Sequence, residues 1–187
     1  MSDFIVLVKQ VPDISKITDN AFDPETGNLS RSKLPSVINE LDAQALGFAA
    51  AMKRLSTDEC SRISCLTMGP AMAVDVLNYC ICRGTDDGFL LSDSKLAGSD
   101  TWATANPLSH VIKKIVSEKL NNRTNYYIIA GMQSVDGDTA QVPAQIASEL
   151  NLPCIAYATD IRLDNGKFTF TQAISGGTQA IRPLSTP

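Results

Sequence analysis

The stretch 126–153, YYIIAGMQSVDGDTAQVPAQIASELNLP, constrains this chain more than any other. It opens on a short apolar run from Tyr126 to Ala130, the pattern of a buried strand. The next eight residues are rich in Gly, Ser and Asp, which is loop composition. Val142, Ile146 and Leu150 then recur at helical spacing, so a helix follows. Pro143 suits a first helical turn, where its missing N–H costs nothing. The helix is therefore expected to open near Asp138 or Thr139, both good N-cap residue types.

A strand, a small-residue loop and a helix start together make an anion site. The first amides of a helix lack internal partners, and the helix dipole adds partial positive charge there. A phosphate or diphosphate can sit on the amides of Gly137, Asp138, Thr139, Ala140, Gln141 and Val142, and this reading requires no Lys or Arg. Gly137 would let the ligand approach the backbone closely. The same residues also read as an ordinary capped loop, because neither a P-loop nor a GxGxxG is complete. Asp136 and Asp138 would then cap the loop's own amides, or meet a ribose hydroxyl.

The remaining chain bounds the function. At 187 residues, 44% hydrophobic and 19% charged, it has enough apolar material for one globular domain over 1–187. A net charge of −4 without a basic cluster argues against a nucleic-acid partner, which needs a cationic face. No apolar run nears the ~20 residues of a bilayer span. The opening MSDFIVLVKQ is acidic and runs straight into a strand, unlike a secretory or basic transit peptide. The five cysteines, Cys60, Cys65, Cys80, Cys82 and Cys154, are odd in number and form no CxxC. Reduced thiols, three of them packed in apolar surroundings, and a cytoplasmic setting are expected. His110 is the only histidine, so neither a transition-metal site nor Ser-His-Asp chemistry is proposed.

Taken in order, Phe4 to Val8 reads as a first buried strand whose exit, KQVPD, is stopped by Pro12. Residues 14–35 read as a surface excursion with a small hairpin around Thr26 to Asn28. Asn39 precedes a helix with an apolar face of Leu41, Ala45, Leu46, Ala49 and Met52, and is its expected N-cap. A second strand spans 62–67, and a helix spans 71–82 with Val74, Leu77 and Ile81 inward. A third strand covers 89–91, and a helix spans 101–120. A fifth strand is expected at 154–158, then a hairpin about Asp164-Asn165-Gly166. Ser175-Gly176-Gly177-Thr178 is a polar turn rather than a phosphate loop, because it follows a late hairpin.

Four alternations of strand and helix imply right-handed βαβ units. The fold class is α/β, a doubly wound and mostly parallel Rossmann-like sheet with helices on both faces, plus a C-terminal β-hairpin. Ligands in such sheets sit where strands end, at the switch in strand order. The exits at 9–13, 68–70, 92–101 and 131–139 should therefore converge on a nucleotide pocket.

VLVKQVPD, INELDAQAL, CRGTDDGFLLSD and GMQSVDGDTAQVPAQIASELNLP occur in this order. Together they resemble the β subunit of electron transfer flavoproteins over residues 4–182. The last block is close to that family's signature, GxQxxDGDTxQVxPxLAxxLxxP. The resemblance implies a partner α subunit, electron delivery from acyl-CoA-type or other dehydrogenases, and a carrier rather than an enzyme. It implies FAD or AMP in this subunit, with adenine near Leu7, Val8, Lys9, Asn39 and Met68. The phosphates would lie on Gly131, Gln133, Ser134, Val135, Asp136, Gly137, Asp138, Thr139, Ala140, Gln141 and Val142. AGSDTWATA at 97–105 resembles the electron-bifurcating members. By that resemblance FAD is favoured over AMP, with Asp100, Thr101 and Thr104 facing the flavin and NAD approaching it. A helix cap at Ser99, Asp100 or Thr101 accounts for the same segment. The family continues through a further core strand and an arm beyond this sequence, which implies an exposed sheet edge here. Two other classes share the pattern: a stand-alone adenine-nucleotide protein resembling universal stress proteins, and a ligand-free interaction module.

Overall fold

The computed structural model of the chain describes residues 2–18, 21–22, 34–56 and 60–183. Four apolar runs form the parallel sheet: β1 (Asp3–Leu7), β4 (Ile63–Met68), β5 (Asp87–Leu91) and β6 (Tyr126–Ala130). Their order is β5-β4-β1-β6. Leu7 lies beside both Leu66 and Ala130, so the central strands end level and their exits share one edge.

The helices follow from this order. The chain steps from β1 to β4 to β5 through α1 (Glu40–Ser56) and α2 (Val74–Ile81). It then crosses to the far side of β1 through α3 (Thr101–Glu118), forms β6, and enters α4 (Val142–Glu149). Opposite directions of travel put helices on opposite faces when every crossover keeps one hand. Accordingly Phe4 and Val6 pack with Ala49 and Met52 of α1 and Leu77 of α2, whereas Ile5 and Leu7 pack with Ile112 of α3 and Ile146 of α4. Period-two alternation along β1 feeds both cores. The strand order reverses between β1 and β6, and ligands of such sheets bind at that point.

A second sheet completes the first face. β7 (Ala158–Asp164), β8 (Lys167–Ile174) and β9 (Gly177–Ile181) form an antiparallel meander. The expected hairpin thus gains a third strand, because Ser175-Gly176 turns the chain back once more, with Gly176 at φ +81°. Phe168 and Phe170 of β8 are buried, and Phe168 meets the rings of Phe4 and Tyr127 at 6.4 and 5.4 Å. This sheet packs on the side of the parallel sheet that carries α1.

Several expectations are corrected. Residues 154–157 form no strand; β7 begins at Ala158. β6 is a half-buried edge strand rather than a buried one. The inward face of α2 is Val76, Leu77 and Cys80, while Val74 and Ile81 point outward. A 3-10 turn at Ala71–Ala73 precedes α2, so a phase counted continuously from Ala71 is wrong by part of a turn. Two cysteines, not three, are buried: Cys65 and Cys80. After β1 the chain forms a short antiparallel ribbon, β2 (Gln10–Pro12) with β3 (Ser36–Ile38), which no periodicity announced. The hairpin expected at Thr26 to Asn28 lies outside the described residues. Among the described residues no helix is long and apolar enough to cross a membrane.

Candidate nucleotide site at the β1 and β6 exits

Two residues at the start of α1 join the two strand exits. Asn39 is fully buried. Its Nδ2 donates to the Gln133 carbonyl at 2.9 Å, and its Oδ1 accepts the Val135 amide at 3.3 Å. Its side chain therefore holds the loop after β6 rather than serving as the expected helix cap. Asp42 is also buried; its two carboxylate oxygens accept the amides of Lys9, at 2.9 Å, and Gly131, at 3.1 Å. Burial pushes the Asp42 carboxyl up to about 6, against the opposing pull of Asn39 and the two amides. Gly131 is required by this packing: a Cβ there would stand 2.7 Å from the Leu41 carbonyl carbon and 2.8 Å from the Asp42 nitrogen. Asp42 lies within INELDAQAL but is not among the candidate site residues drawn from the sequence. The available signal was an acid continuing the apolar stripe of Ala45, Leu46, Ala49 and Met52.

Lys9 brings a cation to a loop expected to manage without one. Its Nζ lies 2.7 Å from Asp136 Oδ1 and 3.3 Å from Ser134 Oγ. The Lys9 backbone is held as well, its carbonyl accepting the Asn39 amide at 2.9 Å. Lys9 and Asp136 line a cleft of about 280 Å³. Its other walls come from the ribbon (Gln10, Val11, Pro12, Ser36) and from the β4 exit (Met68, Gly69, Pro70, Met72). The exits of β1 and β4 converge on this cleft, and the loop after β6 reaches it through Asp136, whereas the β5 exit at 92–101, expected to join them, contributes no wall.

The helix of the focal unit starts later than its caps suggested. Asp138 and Ala140 take left-handed backbone angles, φ 52° and 53°. α4 opens at Val142 with Gln141 at the N-cap position and Pro143 in the first turn. The loop is not sealed: Gly137, Asp138, Thr139, Ala140 and Gln141 are exposed. The Asp138 amide is held by the Ser134 carbonyl at 2.9 Å. A Cβ on Gly137 would sit 3.4 Å from Ser134 Oγ and 3.8 Å from Lys9 Nζ, an ordinary contact.

The other expected residues divide in two. Leu7 and Val8 send their side chains into the two cores, so what they present at the strand end is backbone. Thr101 does reach the loop: its hydroxyl lies 3.2 Å from Gln141 Oε1 and accepts from Gln145 Nε2 at 3.1 Å. Asp100 accepts the Ala103 amide at 2.7 Å, and the Thr104 hydroxyl donates to the Asp100 carbonyl at 2.7 Å. These are capping contacts, and Asp100, Thr101 and Thr104 are not walls of the cleft. Among the described residues no group of three His, Cys, Asp or Glu is placed to hold a metal.

Comparison with known proteins agrees with this architecture. The model of the electron transfer flavoprotein domain matches residues 26–187. An electron transfer flavoprotein subunit beta of Megasphaera elsdenii is 42% identical over 170 residues, 91% of this chain and 61% of that protein. The caffeyl-CoA reductase-Etf complex subunit CarD of Acetobacterium woodii is 37% identical over 177 residues, 95% of this chain and 63% of its own length. An electron transfer flavoprotein subunit beta of Thermoanaerobacterium thermosaccharolyticum is 34% identical over 185 residues, 99% of this chain and 65% of that protein. The chain spans less than two thirds of the length of these relatives. The domain match over residues 26–187, which runs through the loop after β6, and the identity to the β subunits place this chain in the electron transfer flavoprotein family, with the β subunits.

Proposed function

We propose that this chain is the nucleotide-holding part of an electron transfer flavoprotein β subunit, which with an α subunit carries electrons between dehydrogenases and their acceptors. The observation that carries the reading is the cleft at the switch in strand order. A buried Asn39–Asp42 pair fixes two strand exits beside a space of about 280 Å³, near the lower end of ligand clefts (~300–1,000 Å³). Val11, Pro12, Met68 and Pro70 offer apolar walls for a purine, and Lys9 offers charge for a phosphate. These residues fit the AMP moiety that FAD and AMP share.

Between the two, FAD is favoured by the segment from Ala97 to Ala105 and by similarity to a subunit named for the caffeyl-CoA reductase-Etf complex. Bound FAD would supply the electron-carrying ring system. The chain's own task is placement: backbone and Lys9 at the phosphates, the ribbon and β4 exit around the base. Thr101 ties the first turn of α3 to the loop and thereby orients it. The thiols of Cys65, Cys80, Cys82 and Cys154 accord with a reducing cytoplasm.

The test is the small molecule that copurifies with the full-length protein and its α subunit, read by absorbance and mass spectrometry after denaturation. More FAD than one per α subunit supports FAD in this subunit, and AMP supports the structural-nucleotide version. A preparation with neither here, and no affinity for either, overturns the proposal.

A further inference from the structure

Lys9 is the only cationic side chain among the described residues lining the cleft. It is unusually well fixed for a lysine. Its amide and carbonyl are bound by Asp42 and Asn39, and its ammonium is bound by Asp136 and Ser134. An ammonium has three donors, and these contacts engage two. The side chain stays 44% exposed, so the remaining donor has room for a further acceptor. Gly137 keeps that side open, since the nearest atoms to a Cβ there include Lys9 Nζ itself.

Resting on the nucleotide-binding reading, we infer that Lys9 reads the phosphate of the ligand in this cleft, and so selects a phosphorylated nucleotide over its nucleoside. This moves Lys9 from the adenine end, where the family resemblance had set it, to the phosphate end. Asp136 acts in opposition. It pre-orients the ammonium at 2.7 Å, yet it competes for that ammonium with an incoming anion. A charge held in place before binding loses little freedom when the ligand arrives. An ion pair at this exposure is also screened by salt, so the preference for phosphate weakens as ionic strength rises.

The experiment is calorimetric titration of the full-length protein, freed of copurified nucleotide, with AMP and with adenosine. Lys9→Met is expected to weaken AMP at least tenfold while adenosine changes less than twofold. Lys9→Arg retains most AMP affinity, and Asp136→Asn moves the AMP-to-adenosine ratio the other way, upward. The wild-type ratio falls with added KCl, and the Lys9→Met ratio does not. If Lys9→Met leaves AMP binding intact, or weakens both ligands equally, the lysine is structural and the inference fails alone. Wild-type protein that binds neither ligand overturns the nucleotide reading and this inference together.

Discussion

The carboxylate of Asp42 accepts the amide hydrogen of Gly131 at 3.1 Å, across 89 residues of chain. Its other oxygen takes the Lys9 amide at 2.9 Å. One buried acid thus fixes the relative position of the β1 and β6 exits, between which the sheet changes direction.

That carboxylate should make stability depend on pH in a sense opposite to most acids. Burial raises its pKa from 3.8 to about 6 in the folded chain. The folded state therefore holds the proton more tightly than the unfolded one. The associated stability is complete below pH 3.8 and is lost as pH rises through 6. The shift corresponds to about 3 kcal/mol. Asp42→Asn removes this dependence, so the stability of wild type minus variant should fall by about that amount from pH 4 to 7. Urea titrations at several pH values measure it; a flat difference would mean that Asp42 does not titrate in the window.

Asn39→Ala should loosen one loop more than the rest of the molecule. It leaves the Gln133 carbonyl and the Val135 amide without their buried partner. Because Val135 is exposed and Gln133 only partly buried, water can replace the partner, and each lost contact should cost about 0.5–1.5 kcal/mol. Hydrogen exchange should rise at Val135 and its loop neighbours, while the amides of β1 and β4 stay protected. Uniform acceleration across the sheet would contradict a local role.

The two loop glycines should respond differently. Gly131→Ala places a methyl against backbone of Leu41 and Asp42, which cannot rotate away, and should cost about 3 kcal/mol or more. Gly137→Ala meets only side-chain ends at 3.4 Å and beyond and should fold normally. Gly137→Val should fold too but lose nucleotide retention, because its branches enter the space beside Lys9. Thermal melts and the copurified nucleotide separate these effects, and unchanged retention would falsify the role of the loop at Gly137.

Phe168→Ala should detach the C-terminal sheet. The ring is 3% exposed and packs edge-on to Phe4 and Tyr127. Removing a buried Phe costs about 3–5 kcal/mol. Proteolysis should then cut near residues 154–157, which hold no helix or strand. An unchanged melting temperature would show that the sheet is held elsewhere.

The parts of the fold legible in advance are those whose signal is local. The runs at Asp3–Leu7 and Tyr126–Ala130 and the stripe of Ala45, Leu46, Ala49 and Met52 carry their own periods. Asp164-Asn165-Gly166 carries its own turn, with Asn165 and Gly166 at positive φ. Where a competing local conformation entered, the expectation failed. Left-handed backbone at Asp138 and Ala140 delays α4 to Val142, and the 3-10 turn at Ala71–Ala73 shifts the phase of α2. The Lys9–Asp136 pair joins residues 127 apart, and no window of sequence contains both.

Sequence alone determined the alternation of strands and helices, and hence the sheet and the edge at which its exits meet. Hydrophobic period and turn chemistry act over a few residues and need no partner. Only the tertiary structure decided that Asp42 and Asn39 bind those exits together and that Lys9 turns its charge toward the loop. A buried polar side chain takes whichever partner the packed chain brings within hydrogen-bonding distance, and that proximity exists only once the sheet has formed.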